Sequence, residues 1–149
     1  FSLRHLKYQT YADKPLDFYL LESYYCKMKY VKRTTIYLMA FFYANVGIDH
    51  FINPDYFMSI MPPYFPLKLE AIYISGFFEI ILGVGLLTKY RKYSAWGLII
   101  LLLAVFPANI YLIESQAAQT ALGITREIAV IRAPFQLLFL GLAYWHSKP

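Results

Sequence analysis

Residues 74–87 read Ile74-Ser75-Gly76-Phe77-Phe78-Glu79-Ile80-Ile81-Leu82-Gly83-Val84-Gly85-Leu86-Leu87. One carboxylate interrupts a stretch that is otherwise apolar or small. The run extends over 67–88, close to the ~20 residues that a helix needs to cross a hydrocarbon core of ~30 Å. Lipid offers no water to backbone groups, so a run of this kind is a helix and not an open strand. Ser75, Gly76, Glu79 and Gly83 then share one helical face. A lone charge at membrane depth costs roughly 2.5–3.5 kcal/mol on insertion scales, so Glu79 is expected to face the protein interior and to be paired.

Outward from this run lie three more of similar length, at 34–52, 93–113 and 127–146. The segments between them are turn-like. Asn53-Pro54-Asp55 is a turn signal. Met61-Pro62-Pro63-Tyr64-Phe65-Pro66 is excluded from a helix interior, because proline lacks the donor and restricts its predecessor. Lys89-Tyr90-Arg91-Lys92 reads as a tight basic turn, and 114–126 as a polar loop containing Gly123. The predicted fold is an all-α membrane protein. Four transmembrane helices form an antiparallel bundle over 34–149, preceded by an aromatic, basic extension over 1–33.

Composition supports the membrane class. Hydrophobic residues make up 59% of the 149 and charged residues 15%, against about 25% charged in soluble domains. The 15 Tyr and 12 Phe suit interfacial belts and packed subunit contacts. The net charge of +5 comes from basic residues set between apolar runs. Membrane orientation and lipid headgroups account for these better than nucleic acid does. With Cys26 the only cysteine, an internal disulfide, a Cys-x-x-Cys redox pair and a cysteine metal site are all excluded.

The extension carries Arg4, Lys7, Lys14, Lys27, Lys29, Lys32 and Arg33 against Asp13, Asp17 and Glu22, with Pro15 breaking it. A short helix over 17–29 is expected, N-capped by Asp17. It reads as a membrane-surface arm or as a partner-docking segment that uses Arg4, Lys7, Phe18, Tyr24 and Tyr25. No apolar core precedes a cleavage site, so 1–33 is not a signal peptide. The chain begins at Phe1 and not at Met, so the natural start is expected to lie upstream, whether processed off or not. Basic residues flank the first run, fill the 89–92 turn and follow the fourth run. The positive-inside rule therefore places both termini and that turn on the cytoplasmic or matrix side.

The remaining polar residues converge. Asn45 and Asp49 are i,i+4 neighbours beside His50; Pro107 and Asn109 interrupt the third run; Arg132 and Gln136 are again i,i+4. At about 1.5 Å per residue, antiparallel helices bring Asn45, Asp49, His50, Ser75, Glu79, Asn109, Arg132 and Gln136 largely into the outer half of the bundle. Arg132 is expected to pair with Glu79 or with Asp49. The cluster is either a network that fixes helix register or a site for a headgroup, a quinone or a proton. Gly76, Gly83 and Gly85 are expected to permit close helix packing. His50 has no second histidine in the spans, so no metal or haem site is predicted. No nucleophile triad or phosphate-cradling loop is present.

The ordered motifs resemble the DoxX-like family of small membrane proteins. They are Gly47-Ile48-Asp49-His50-Phe51-Ile52-Asn53-Pro54, Met61-Pro62-Pro63-Tyr64, Ile74-Ser75-Gly76-Phe77-Phe78-Glu79-Ile80, Ala95-Trp96-Gly97-Leu98, Ala104-Val105-Phe106-Pro107-Ala108-Asn109-Ile110-Tyr111 and Ile131-Arg132-Ala133-Pro134-Phe135-Gln136. The resemblance covers about 36–146 and implies a four-helix, multi-pass fold. It also implies an association with quinol oxidase or thiosulfate–quinone systems, with membrane oxidoreductase assemblies, or with receptor assembly. The extension over 1–33 departs from the short bacterial pattern and favours docking in a larger complex.

The expected function is therefore a non-catalytic accessory subunit of a hetero-oligomeric membrane complex in an energy-transducing inner membrane, mitochondrial in preference to bacterial. Expected partners are membrane lipids and other membrane-protein subunits, and no nucleic acid. A bound phospholipid or quinone is compatible with the polar cluster. The alternatives are a small quinone- or lipid-binding oxidoreductase component and a membrane-protein assembly factor.

Overall fold

A computed structural model describes residues 16–149, and every regular element among them is helical. We label them α1 (Leu16–Ile52), α2 (Pro54–Ser59), α3 (Lys68–Gly85), α4 (Arg91–Glu114), α5 (Gln116–Leu122) and α6 (Arg126–Ser147). The expected contacts of Arg4 and Lys7 lie outside the described residues. Contacts between Cα atoms group the chain into two units, Phe1–Thr34 and Thr35–Pro149.

The sequence predicts a short helix over 17–29 and a separate span from 34. The structure has one continuous helix instead, with Asp17 in its first turn and not at its cap. The reason is local: residues 29–35 contain no glycine or proline, and Lys and Arg are good helix formers. The loop expected over 114–126 holds helix α5. Ser115 caps it by accepting from Ala118 N at 3.2 Å, and Gly123 ends it in the left-handed region. The ends of α3, α4 and α6 fall within three residues of the predicted runs.

Proline chemistry shapes the connections. Pro54 stands at the first position of α2, where a missing N–H costs nothing. The 61–66 segment lies outside helices, as expected, and Pro62 is fully buried. Leu67, just after Pro66, begins α3 from a left-handed conformation, φ 53°, which an L-residue adopts at a cost. At the other end of α3, Thr88 Oγ1 donates to Gly85 O at 2.8 Å and accepts from Tyr90 N at 3.1 Å, closing the tight turn into α4.

Within the second unit, α1 and α3 meet along matching stripes. On α1 the buried positions are Ile36, Met39, Ala40, Tyr43, Gly47 and His50; on α3 they are Ile72, Gly76, Glu79 and Gly83. The 3–4 spacing is that of one helical face. Small residues let the backbones close. A methyl group at Gly76 would lie 2.6 Å from His50 Cβ and 2.8 Å from Gly47 O; one at Gly83 would lie 3.1 Å from both Ala40 O and Tyr43 Cβ. Gly85 faces Ser94 at closer than van der Waals range for any added Cβ. All three glycines thus sit at close approaches between helices, and Gly47, not singled out by the sequence reading, forms the other half of the Gly76 crossing.

The main core joins Ile36, Met39, Ala40 and Tyr43 of α1 to Leu86, to Ala95, Leu98 and Leu102 of α4 and to Ala143 of α6. A smaller cluster of Ile60, Leu112, Ala118 and Ala129 ties the α2 and α5 region to the neighbouring ends of α4 and α6. There Gln119, buried, donates to Leu112 O at 2.9 Å and Ile113 O at 3.0 Å, satisfying carbonyls that the end of α4 leaves without helix donors.

Candidate functional site

The site lies where α1, α3, α4 and α6 face one another beneath α2. Glu79 on α3 is its most buried carboxylate, 7% exposed. His50 Nδ1 lies 2.8 Å from Val46 O and 3.3 Å from Glu79 Oε2. A carbonyl oxygen only accepts, so Nδ1 carries the proton and directs it at Val46. The Glu79 contact is a close approach off that axis. Among the described residues, Glu79 Oε2 and the Tyr43 hydroxyl are buried without a hydrogen-bond partner. The His50 ring stacks on Phe57 of α2, centroids 3.6 Å apart, so the short helix lids the cluster.

On the opposite wall, Asn109 Nδ2 of α4 donates to Gln136 Oε1 of α6 at 2.7 Å. Gln136 Nε2 donates in turn to Leu102 O at 2.6 Å. Asn109 and Gln136 each follow a helix-interior proline by two residues, Pro107 and Pro134.

Arg132 departs from expectation. Its NH1 donates to the hydroxyl of Tyr56 at 3.1 Å, and among the described residues neither Glu79 nor Asp49 comes within ion-pair distance of it. The reason is helical phase. Asp49 is 100° round α1 from His50, outside the buried stripe, and its Oδ1 accepts from Asn53 Nδ2 on its own chain segment. Asn45 is exposed and donates to Phe41 O at 2.7 Å. Ser75 donates to Ile72 O at 2.9 Å.

Two cavities share these walls. One, about 130 Å³, is lined by His50, Ser75, Glu79, Asn109 and Arg132 with Phe57 above. The second, about 400 Å³, is lined by Tyr43, Glu79, Asn109, Arg132 and Gln136 with Phe42, Phe135 and Phe139. Six of the eight predicted polar residues therefore line one or both, and Asn45 and Asp49 line neither. Tyr43, Tyr56 and Phe57 went unread in the sequence. Tyr43 was accessible there, because it lies four residues from Gly47 and seven from His50 on the same stripe. Tyr56 and Phe57 were not, because α2 is too short for periodicity to place. Among the described residues, no group of three metal-ligating side chains assembles.

Beside its apolar core the bundle buries polar groups while it exposes large apolar ones. Glu79, His50 and Gln136 are buried, whereas Ile74, Phe77, Phe78, Ile81 and Val84 of α3 are exposed. Helices α4 and α6 are long and apolar enough to cross a membrane, and only 17% of the apolar window of each is buried inside the protein. A soluble core helix would be mostly buried. The described residues thus form an all-α protein, two of whose helices are long and apolar enough to cross a membrane. Residues 39–147 match the model of the family described as Domain of unknown function (DUF8561), and the chain belongs to that family. No curated protein and no solved structure matches it.

Proposed function

We propose that this is a multi-pass membrane protein in which α1, α3, α4 and α6 all cross the bilayer, antiparallel, with both termini on the matrix or cytoplasmic side. We further propose that it serves as a non-catalytic accessory subunit of a larger complex in an energy-transducing inner membrane. The observation that carries this reading is the exposure of large apolar side chains, Phe, Ile and Val outside, around an interior that holds Glu79, His50 and Gln136. Polar and charged residues interrupt the apolar runs of α1 and α3, and of these His50 and Glu79 belong to the site. Lys68, Glu70 and Glu79 lie on α3; Asn45, Asp49 and His50 lie on α1. Their exposed faces, with Leu38, Phe41, Ile48 and Phe51 on α1, suit lipid or a partner helix.

The accessory role draws on the first unit, where Phe18, Tyr24 and Tyr25 are exposed among basic residues. Such rings are favoured at protein contacts. The ordered motifs that resemble the DoxX-like family support the same proposal. Two measurements test it separately. Release of the chain from membranes by alkaline carbonate would refute the membrane placement. Migration of the chain alone after mild-detergent solubilisation would refute the accessory role, while a stoichiometric co-migrating assembly supports it.

A further inference from the structure

We infer that the cleft between α1 and α6 binds the head of a zwitterionic aminophospholipid, its ammonium at Glu79, its phosphate at Arg132 and an acyl chain in the apolar groove beside them. This rests on the membrane reading above and deepens it by naming the ligand class.

The cleft leaves a specific set of polar capacities unused. Asn109 and Gln136 satisfy each other and Leu102 O. What remains is Glu79 Oε2 and the Tyr43 hydroxyl, both more than nine-tenths buried and without hydrogen-bond partners among the described residues. Arg132 also remains, with one bond to Tyr56 and four of its five donors unassigned. Glu79 and Arg132 line the same 400 Å³ cavity, yet they do not meet. A carboxyl group and a guanidinium held apart across one cavity are complementary to a ligand that carries both an ammonium and a phosphate. The acceptor at Glu79 calls for a cation bearing N–H donors, and the guanidinium for a phosphate, which it binds with favourable fork geometry. An ethanolamine head supplies both. A choline head supplies the charge without the donors, and a glycerol head lacks the cation.

The surroundings select an amphiphile over a soluble zwitterion. Phe42, Phe135 and Phe139 wall the cavity. Phe42, Val46 and Phe139 also begin a second groove, about 590 Å³, that continues past Leu38 to Thr35 and Leu142. From Val46 to Thr35 the groove follows α1 for eleven residues, about 16 Å at the helical rise, enough to hold most of an acyl chain. The amides of Asn109 and Gln136 form the inner wall, so the head enters sideways from the lipid and stops there.

The test uses the full chain, purified in mild detergent and stripped of lipid, with phosphatidylethanolamine, phosphatidylcholine or phosphatidylglycerol added in mixed micelles. Bound lipid is read by native mass spectrometry. The expected result is a preference for phosphatidylethanolamine over both others of about tenfold, the size of one charge-assisted hydrogen bond. Glu79→Gln is expected to bring phosphatidylethanolamine down to phosphatidylcholine, and Arg132→Gln to weaken all three. If Glu79→Gln does not fold, Glu79→Asp, which withdraws the carboxylate, is expected to reduce the preference. Equal binding of the three lipids by the wild-type chain overturns the inference, as does a preference that survives both Glu79 variants. Saturation by water-soluble glycerophosphoethanolamine overturns the amphiphile assignment. Carbonate extraction from membranes reports separately on the membrane reading beneath it.

Discussion

Gln136 of α6 hydrogen-bonds through Nε2 to the backbone carbonyl of Leu102 on α4, at 2.6 Å. That carbonyl lies one residue before Leu103, whose oxygen Pro107 leaves without its helical donor. A side chain from the neighbouring helix thus stitches α4 where proline weakens it. The same Gln136 holds Asn109, so one buried amide joins two helices by two bonds.

Gln136→Leu removes both bonds and leaves Asn109 with a part-buried unmet donor. A destabilisation of about 1–2 kcal/mol is expected, read as a lower midpoint in denaturant titration of the detergent-solubilised protein. Asn109→Ala combined with Gln136→Ala is expected to cost less than the sum of the two singles. Strict additivity would show that the pair is not coupled.

Glycine substitutions are expected to act with opposite signs along the bundle. Gly76→Ala places a methyl group 2.8 Å from the backbone oxygen of Gly47, which cannot swing aside. It is expected to push α1 from α3 at a cost of about 1–3 kcal/mol. Gly141→Ala meets no atom within 4 Å and replaces glycine inside α6, so a gain of up to about 1 kcal/mol is expected from helix propensity. Thermal unfolding of the two variants side by side checks the contrast.

Leu67 is 71% exposed and has a φ of 53° at the start of α3. Asparagine tolerates that backbone better than leucine does. Leu67→Asn is therefore expected to raise the unfolding temperature, with a gain on the order of 1 kcal/mol. A lower temperature would mean that the exposed leucine makes a contact in lipid or with a partner.

Gln119→Leu is expected to loosen the α2 and α5 end of the bundle. It removes both bonds to the last carbonyls of α4 and leaves them buried. A loss of about 1–3 kcal/mol is expected, together with faster amide hydrogen exchange in α5 than in the helical interior of α4.

Much of the arrangement was legible because burial leaves a period in the sequence. Ser75, Gly76, Glu79 and Gly83 fall on one face at any helical register, so their inward placement on α3 needed no coordinates. The same rule applied to α1 finds Tyr43 and Gly47 with His50, and it should have excluded Asn45 and Asp49. Helix α5 was hidden because a run of seven residues, six of them polar or small, carries no strong period. The continuity of α1 was hidden because a charged stretch reads as a boundary even where nothing in it breaks a helix.

By itself the sequence determined four long helices, their limits to within a few residues except at the start of α1, and which faces hold glycine and charge. Each of these follows from local chemistry: hydropathy, helical period and the backbone effects of proline and glycine. Only the tertiary structure decided partners. It gave Arg132 to Tyr56 and not to a carboxylate, put His50 against Glu79, and left Glu79 Oε2 and Tyr43 facing a shared cavity. Those outcomes turn on helix rotation and offsets of a few ångströms between segments far apart in the chain. Charge type and spacing cannot encode them, because several pairings satisfy the same list of residues.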